Sequence, residues 1–270
     1  MSDSTVRLEY QGHVALITLD RQAKRNAFDE TMWHALEQTV SQLKSNLPRV
    51  IVVTGAGQKA FCAGFDVNPD NPQVGDLIGS IENHDREPVA VLIKRIRKAL
   101  DDLVFLPVPI IAALNGSAYG GGAELAVRCD LRVMEPEAAI SFSEVRLGLM
   151  PDWGGGVALT RLIGPSRAAE LIICAHKVSA DEALRIGLVN RIAAPGNVLE
   201  EALNLAQTIA CNGPRAVRSA LEVIRNTPDL SYREALDLET ELAVNLITSG
   251  ECIDGISAFL MKQEPRFPDE

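Results

Sequence analysis

The feature that most constrains this chain is an apolar strand that runs directly into a glycine-rich turn and then a helix. Residues 109–114 have the length and character of a buried strand, and Asn115-Gly-Ser-Ala-Tyr-Gly-Gly-Gly-Ala-Glu124 follows them. Three consecutive glycines let the backbone turn tightly and put no side chain in a ligand's way. Free N–H groups at the helix start carry partial positive charge, which suits a developing oxyanion. Glu124 falls one turn into that helix, although a packing turn with a dipole-pairing glutamate is the alternative.

A second turn of this kind follows residues 50–54, another short apolar strand. It begins Gly55-Ala-Gly57 and continues to Phe61-Cys-Ala-Gly64-Phe65-Asp66. One turn that offers an N–H group is a weak signal. Two in one chain can supply the paired donors of an oxyanion hole, each within roughly 3 Å of one oxygen.

A third segment, residues 142–156, places Glu144 and Asp152 among apolar residues and glycines. Glutamate is rarely buried without a reason. A carboxyl group in an apolar cleft beside another carboxyl group has a raised pKa and can act as acid or base. A solvated or capping carboxylate is the alternative for each residue taken alone.

The remaining pattern mixes strands and helices in the first two-thirds of the chain and is almost entirely helical afterwards. Residues 6–10 and 13–19 predict a hairpin, residues 29–43 and 87–103 predict helices, and Asp29 is a plausible helix cap. The polar residues 68–86 contain two prolines and two glycines and predict a mobile surface segment. Short strands are predicted at 131–134 and 139–142, and helices at 199–211, 214–226, 231–248 and 251–262.

Composition narrows the classes of function. The 270 residues are 47% hydrophobic, enough for one large domain or a domain with an appendage. A net charge of -10 disfavours binding to nucleic acid or to an anionic membrane. Residues 1–10 lack the apolar core of a signal peptide, and no apolar run reaches the ~18 residues of a membrane span. The five cysteines are scattered and form no CxxC pair, so we expect neither disulfides nor zinc, and a cytoplasmic location.

Five segments together resemble the crotonase, or enoyl-CoA hydratase/isomerase, superfamily. They stand in that family's order and spacing: Arg25-Asn-Ala-Phe28, Phe61-Cys-Ala-Gly-Phe-Asp66, residues 115–127, residues 144–156 and residues 259–267. The resemblance implies an α/β fold, a crotonase-like spiral of ββα units over residues 1–195. An α-helical C-terminal region, residues 196–270, would help to form a homotrimer, often paired as a hexamer.

The resemblance also implies an acyl-CoA thioester as substrate, with coenzyme A part of that substrate and no separate cofactor or metal. The oxyanion donors would be the N–H groups of Phe65 and Gly121, with Glu124, Glu144 and Asp152 as the carboxylates. The implied CoA-binding residues are Lys24, Arg25, Ala27, Ala63, Gly64, Asp66, Phe259 and Lys262. In the family, the residues that correspond to Phe259 and Lys262 often complete the site across a subunit boundary.

The reaction depends on the carboxylates. Enoyl-CoA hydratases carry two glutamates twenty positions apart, which is the spacing of Glu124 and Glu144. Asp152 instead resembles dienoyl-CoA isomerases and some ring-opening or dehalogenating relatives, but dienoyl-CoA isomerases have aspartate at the first position. We therefore expect hydration of 2-enoyl-CoA. The alternatives are an enoyl-CoA or 3,5-2,4-dienoyl-CoA isomerase that uses Glu144 and Asp152, and an acyl-CoA-binding protein without turnover. Trp153 is expected to line the acyl pocket or to pack in the core or an interface.

Overall fold

The strands of the described chain build two sheets, one larger and one smaller. The computed structural model describes residues 4–268, so the outermost ends of the predicted ranges 1–195 and 196–270 lie outside the described residues. The strands are β1 (Val6–Gln11), β2 (Val14–Leu19), β3 (Val50–Gly55), β4 (Ala60–Cys62), β5 (Ile110–Leu114), β6 (Ser117–Tyr119), β7 (Leu131–Met134), β8 (Ala139–Ser141), β9 (Val178–Ser179) and β10 (Arg191–Ile192).

The helices fill the spaces between these strands and make up nearly all of the last third. They are α1 (Glu30–Ser45), α2 (Pro72–Glu82), α3 (Glu87–Val104), α4 (Gly121–Arg128), α5 (Gly155–Ile163), α6 (Pro165–Cys174), α7 (Ala180–Arg185), α8 (Val198–Ala210), α9 (Pro214–Asn226), α10 (Tyr232–Thr248) and α11 (Glu251–Met261). Within residues 4–268, none of the helices has the length and apolar character needed to cross a bilayer.

The strand order shows the spiral that was predicted. One sheet runs β1-β2-β3-β5-β7-β10 and the other β4-β6-β8-β9. Three times in succession, a strand of the large sheet is followed at once by a strand of the small sheet, as in β5, β6 and then α4. The neighbouring strands of these turns are parallel. The short strands therefore stack above one another, and the turns that end them lie at one side of the fold.

Helix α8 covers one face of the large sheet. Val198, Ala202, Ala206 and Ala210 recur every four residues, so they share one face of the helix, and all four are buried against the apolar side chains of β2, β3, β5 and β7. Small side chains allow this close approach. The boundary between residues 195 and 196 stays a prediction, but α8 packs on the spiral and α10 and α11 extend beyond it.

Most predicted elements are confirmed, including the Asp29 cap, whose side chain accepts the Met32 N–H at 2.9 Å. The centre of the segment 68–86, predicted to be a mobile surface segment, forms the helix α2, most of whose residues are at the surface; its mobility stays a prediction. Asn71 caps that helix and Pro72 takes its first position, where proline is well tolerated. A Cβ atom added to either glycine of this helix, at 75 or 79, would meet nothing within 4 Å, so packing does not require glycine at these positions.

Candidate active site

A cavity of about 240 Å³ lies where the two glycine turns meet. Three carboxylates line it, those of Glu124, Glu144 and Asp152, and apolar side chains from α3 and the 65–67 and 147–150 segments form most of the remaining wall. The structure therefore brings together all five residues predicted to act on the thioester. It places no lysine, arginine or histidine in the described lining of this cavity.

The two turns touch through Gly64 and Gly121. A Cβ atom added to Gly64 would lie only 2.8 Å from the backbone nitrogen of Gly121, and Gly64 has a φ of +85°. Both the close approach and the backbone conformation therefore require glycine at this position. An isolated parallel bridge sets the direction of Phe65. Phe28 donates to the Gly64 carbonyl at 2.8 Å, and Asp66 donates to the Phe28 carbonyl at 2.9 Å. The N–H group of Phe65 consequently points away from Phe28, on the other side of its extended segment.

Neither Phe65 nor Gly121 donates its backbone N–H to any acceptor among residues 4–268. Buried N–H groups are nearly always paired, so two free ones at one cavity mark a place where an acceptor can bind. Gly121 begins α4, where the helix dipole adds to the attraction for negative charge. Both groups have the character of oxyanion-hole donors.

The glycine run at the start of α4 also packs tightly. A Cβ on Gly121 would lie 2.6 Å from the Trp153 ring, and one on Gly122 would lie 2.1 Å from the Cys62 carbonyl oxygen. Gly120 adopts a φ of +52°. The packing turn that the sequence left as an alternative therefore exists, but it occurs together with the free N–H group.

Glu124 is 1% exposed, and its carboxylate is held by the backbone of the 152–155 loop. Asp152 donates its N–H to Oε1 at 3.2 Å, and Trp153 and Gly155 donate to Oε2 at 2.9 and 2.8 Å. An ionised carboxylate has about four acceptor positions, so three N–H donors leave about one free. This loop contact, not visible in the sequence, fixes the position of the carboxylate.

Glu144 is in the opposite situation. It begins a short 3-10 turn, Glu144–Leu147, directly after β8. Both of its carboxylate oxygens are buried, and neither has a hydrogen-bond partner within the described residues. Gly120 approaches it, since a Cβ added there would lie 3.8 Å from Oε1. The absence of a side chain at Gly120 leaves space in front of the carboxylate.

All three carboxyl groups have pKa values above the ordinary range. Burial is the largest cause for Glu124, and the charges of Glu144 and Asp152 raise its pKa further while the loop N–H groups lower it. Burial raises the pKa of Glu144, and Asp152 adds to the effect. Desolvation raises the pKa of Asp152 as well. The pKa of Glu124 is raised to about 8 even though the loop N–H groups favour its ionised form, so both glutamates favour holding a proton more than an ordinary carboxyl group does.

Trp153 has both of the roles that the sequence left open. It is 3% exposed and packs edge-on against Phe28 and Trp33, with ring centroids 5.6 and 4.8 Å away. It also forms part of the cavity wall beneath Gly121. The aromatic cluster therefore supports the glycine turn from the core side.

The segment predicted to line the CoA pocket lies beside this cavity. Lys24 pairs with Asp70 at 3.0 Å, Arg25 is exposed, and Ala27 is buried. Ala63 lines the cavity and donates its N–H to the Arg25 carbonyl at 3.0 Å, which joins the two predicted CoA segments. Their contact with coenzyme A stays a prediction.

Asn26, one residue of the Arg25–Phe28 run, supports both segments from within. It is buried, and its backbone is in the left-handed region with a φ of 57°. Its Nδ2 donates to three carbonyls, those of Ala56, Ala60 and Phe61 at 3.1, 2.9 and 3.2 Å. A buried asparagine with this many partners fixes the Arg25 turn against the Phe61 strand.

Arg21 was missed entirely. Its guanidinium lies 3.1 Å from the buried carboxylate of Asp66 and 2.8 Å from Asp29, so it joins the second turn to the start of α1. No local signal marks it, because its partners are 8 and 45 positions away.

Phe259 and Lys262 are not brought to the cavity within one chain. Both are exposed near the end of α11, and Phe259 is 79% exposed. Their predicted role across a subunit boundary stays a prediction. Within residues 4–268, no group of His, Cys, Asp and Glu side chains has the arrangement of a metal site.

The comparisons with known proteins agree with this geometry. The chain matches the Enoyl-CoA hydratase/isomerase family over residues 9–270. It is 37% identical to the Bacillus subtilis protein YngF over 264 residues, 97% of each chain. It is 32% identical to the short-chain-enoyl-CoA hydratase of Clostridium acetobutylicum over 98% of this chain and 97% of that protein. The crystal structure of enoyl-CoA hydratase from Bacillus anthracis superposes with a TM-score of 0.89 at 34% identity, over 98% of this chain and 100% of that one. Sequence and fold agree over nearly the whole length, and the chain belongs to the enoyl-CoA hydratase/isomerase family.

Proposed function

We propose that this protein is a lyase that hydrates 2-enoyl-CoA to 3-hydroxyacyl-CoA. The observation that carries the proposal is that one cavity holds two free backbone N–H groups, of Phe65 and Gly121, and two glutamates in unlike surroundings. The family provides the thioester substrate class. The name of the Clostridium acetobutylicum relative supports water addition as the reaction.

The thioester carbonyl oxygen accepts both N–H groups in this mechanism. Negative charge develops on that oxygen when the α-carbon takes on enolate character, and loss of one such donor typically costs ~3 kcal/mol of transition-state stabilisation. A water molecule occupies the one remaining acceptor position of Glu124. Its oxygen forms the bond to the β-carbon while Glu124 takes one of its protons. Glu144 gives its proton to the α-carbon, and proton transfer from Glu124 back to Glu144 completes the cycle.

The surroundings of the two glutamates support this division of roles. Three N–H donors stabilise the carboxylate of Glu124, which therefore serves as the acceptor of the water proton. The carboxylate oxygens of Glu144 have no hydrogen-bond partner within the described residues, and burial raises its pKa, which favours a role as proton donor. The mechanism uses no metal and no cofactor besides the coenzyme A of the substrate.

The test is the loss of conjugated-thioester absorbance when crotonyl-CoA is added. We expect the wild type to hydrate crotonyl-CoA, Glu144→Gln to lose at least ~10²-fold in kcat, and Asp152→Asn to keep most of its activity. Wild-type protein that is inactive on short- and medium-chain 2-enoyl-CoA would contradict the proposal.

Asp152 supports the second candidate, an enoyl-CoA or 3,5-2,4-dienoyl-CoA isomerase. Its side chain lines the same cavity as Glu144 and has a raised pKa. An isomerase would move a proton between two carbons with these two carboxyl groups. Turnover of 3,5-dienoyl-CoA by the wild type, with both Glu144→Gln and Asp152→Asn inactive, is the result that this candidate predicts.

The proposed assembly is a homotrimer or a hexamer of two trimers, in the cytoplasm. Helices α10 and α11 expose large apolar side chains, among them Tyr232, Ile247, Ile253 and Phe259. Such a surface on a folded chain is typical of a subunit interface. Light scattering after size exclusion measures the mass, and Phe259→Ala and Lys262→Ala are expected to raise KM for the CoA substrate.

Binding of acyl-CoA without turnover is the non-enzyme candidate. Calorimetric titration of crotonyl-CoA and of free coenzyme A, run beside the hydration assay, separates the two. Tight binding with no change in the thioester on any unsaturated substrate would favour this candidate.

A further inference from the structure

We propose that Arg128 is a positioning residue for the two carboxylates that meet at the 152–155 loop, Glu124 and Asp152. This inference rests on the proposed hydration, because its effect on rate is assigned through Glu124. Arg128 is the last residue of α4 and stands four positions after Glu124, so the two side chains leave the same face of the helix.

Glu124 and Arg128, at the two ends of this helix face, both bind the 152–155 loop through the backbone of Trp153. Trp153 donates its N–H to Glu124 Oε2 at 2.9 Å, and its carbonyl oxygen accepts Nη1 of Arg128 at 2.7 Å. The two contacts use the N–H and the C=O of one residue. Trp153 is therefore fixed in both directions, and the N–H groups of its neighbours are aimed at Glu124.

Arg128 is itself held in place. Its side chain is 5% exposed, its Nη2 forms an ion pair with Asp101 of α3, and its guanidinium lies 5.8 Å from the centre of the Phe105 ring. Arg97 donates to the same carboxylate of Asp101 at 2.9 Å. Helix α3 forms one wall of the cavity, so Arg128 connects that wall, helix α4 and the loop.

Gly154 shows how closely this arrangement fits the loop. Its φ is +93°, and a Cβ atom there would lie 3.2 Å from the Cζ of Arg97 and 3.3 Å from the Cζ of Arg128. The two guanidinium groups cover the loop at this point, and a side chain here would need both a strained backbone and a shift of these groups by a few tenths of an ångström. The loop conformation and the position of Arg128 therefore depend on each other.

The reaction depends on this geometry through Glu124. If the Trp153 carbonyl is released, the loop N–H groups no longer converge on the carboxylate, and the ionised form of Glu124 loses stabilisation. Glu144 and Asp152 are the other titratable groups that face Glu124, and the charge of each raises the pKa of Glu124. The acidic limb of activity must then move to higher pH.

The test compares Arg128→Met with Arg128→Lys and with Arg161→Met. Arg161 lies on α5, the helix that follows the loop, and forms an exposed ion pair with Asp229, so it serves as the control for loss of an arginine. We expect Arg128→Met to lower kcat about 10- to 100-fold with KM changed less than about threefold, because a displacement of about 1 Å has this effect on oriented groups. The acidic limb of kcat/KM should rise by roughly one pH unit.

Arg128→Lys should recover part of the lost kcat, since an ammonium group can reach the Trp153 carbonyl or Asp101 but cannot span both as a planar fork does. Arg161→Met should match the wild type. A pH profile for Arg128→Met that coincides with that of Arg161→Met overturns the proposal. Should Arg128→Met not fold, Arg128→Lys decides the matter alone, and a wild-type pH profile in that variant overturns it.

A second readout keeps this inference separate from the proposed function. In a Trp33→Phe background, Trp153 is the one remaining tryptophan of the sequence, and its fluorescence reports ionisation of the neighbouring carboxyl groups. We expect the fluorescence titration midpoint to be higher with Arg128→Met. If the wild type fails to hydrate any 2-enoyl-CoA but this midpoint moves, the proposed function fails and the positioning role stands; an unmoved midpoint overturns the role.

Discussion

Replacing Glu124 by glutamine should destabilise the folded protein, although the change removes a buried carboxylate. The two carboxylate oxygens accept three backbone N–H groups. Glutamine offers one carbonyl oxygen, which best faces Trp153 and Gly155, the donors of the two shorter bonds. Its NH2 group then points at the N–H of Asp152, and that buried donor loses its acceptor.

The size of the effect follows from these bonds. A buried donor left unsatisfied costs about 1–3 kcal/mol. Relief of repulsion with Glu144 and Asp152 acts in the opposite direction. We expect a net loss of about 2 kcal/mol, which lowers Tm by about 4–8 °C for a chain of this size.

Glu144→Gln is the matched control, because it makes the same change at a carboxylate with no hydrogen-bond partner. It breaks no bond and removes an unpaired buried acid, so its stability should equal or exceed that of the wild type. Urea denaturation and thermal melting, at one protein concentration near neutral pH, compare the three proteins while the hydration assay records activity. The reasoning is refuted if Glu124→Gln is as stable as the wild type or if Glu144→Gln is the less stable variant.

Three further outcomes are expected. Gly64→Ala should lower kcat at least ~10²-fold because its Cβ would push against the Gly121 nitrogen, whereas Gly12→Ala, which has positive φ but open space, should keep full activity; kinetics of both variants checks this. Asn26→Leu should reduce the free energy of unfolding by about 2–4 kcal/mol in denaturant titrations, because three carbonyls lose their donor. A loss of stability no larger than that of Gly12→Ala would contradict this role of Asn26. Because the pKa of Glu144 is raised, the folded chain keeps a proton that the unfolded chain releases above about pH 4.3, so wild-type stability falls as pH rises toward the folded pKa. The stability advantage of Glu144→Gln should therefore grow as the pH rises above about 4.3, and a constant difference would contradict the assignment.

The parts of the site that could be predicted are those encoded in a few consecutive residues. A buried strand followed by glycines and a helix defines the Gly121 donor and places Glu124 in the first turn. Gly64 and Phe65 are marked in the same way. The apolar pattern also separates the spiral from the helical last third, because strands and helices differ in periodicity.

What could not be predicted depends on residues far apart in sequence. The donors to Glu124 come from a loop 28 to 31 positions later, and the partners of Asn26 lie 30 to 35 positions away. Nothing local in either segment indicates these pairings. Helix α2 is a different case, since Asn71 and Pro72 are an ordinary helix start, but the polar character of the segment and its prolines and glycines indicated a loop instead.

Asp152 and Glu124 are not independent carboxylates, because the residue that carries one supplies a backbone N–H to the other. Asp152 donates to Glu124 through its main chain while its side chain lines the same cavity. Any movement of the 152–155 loop therefore shifts the third carboxylate and changes the proton affinity of the first. Hydration requires an acceptor for the water proton at Glu124, and isomerisation requires a proton-transferring group at Asp152. The proposed hydration and the isomerase candidate therefore place different demands on one short loop, whose Trp153 carbonyl accepts a hydrogen bond from Arg128, and substitutions in this loop are the most direct way to separate the two candidates.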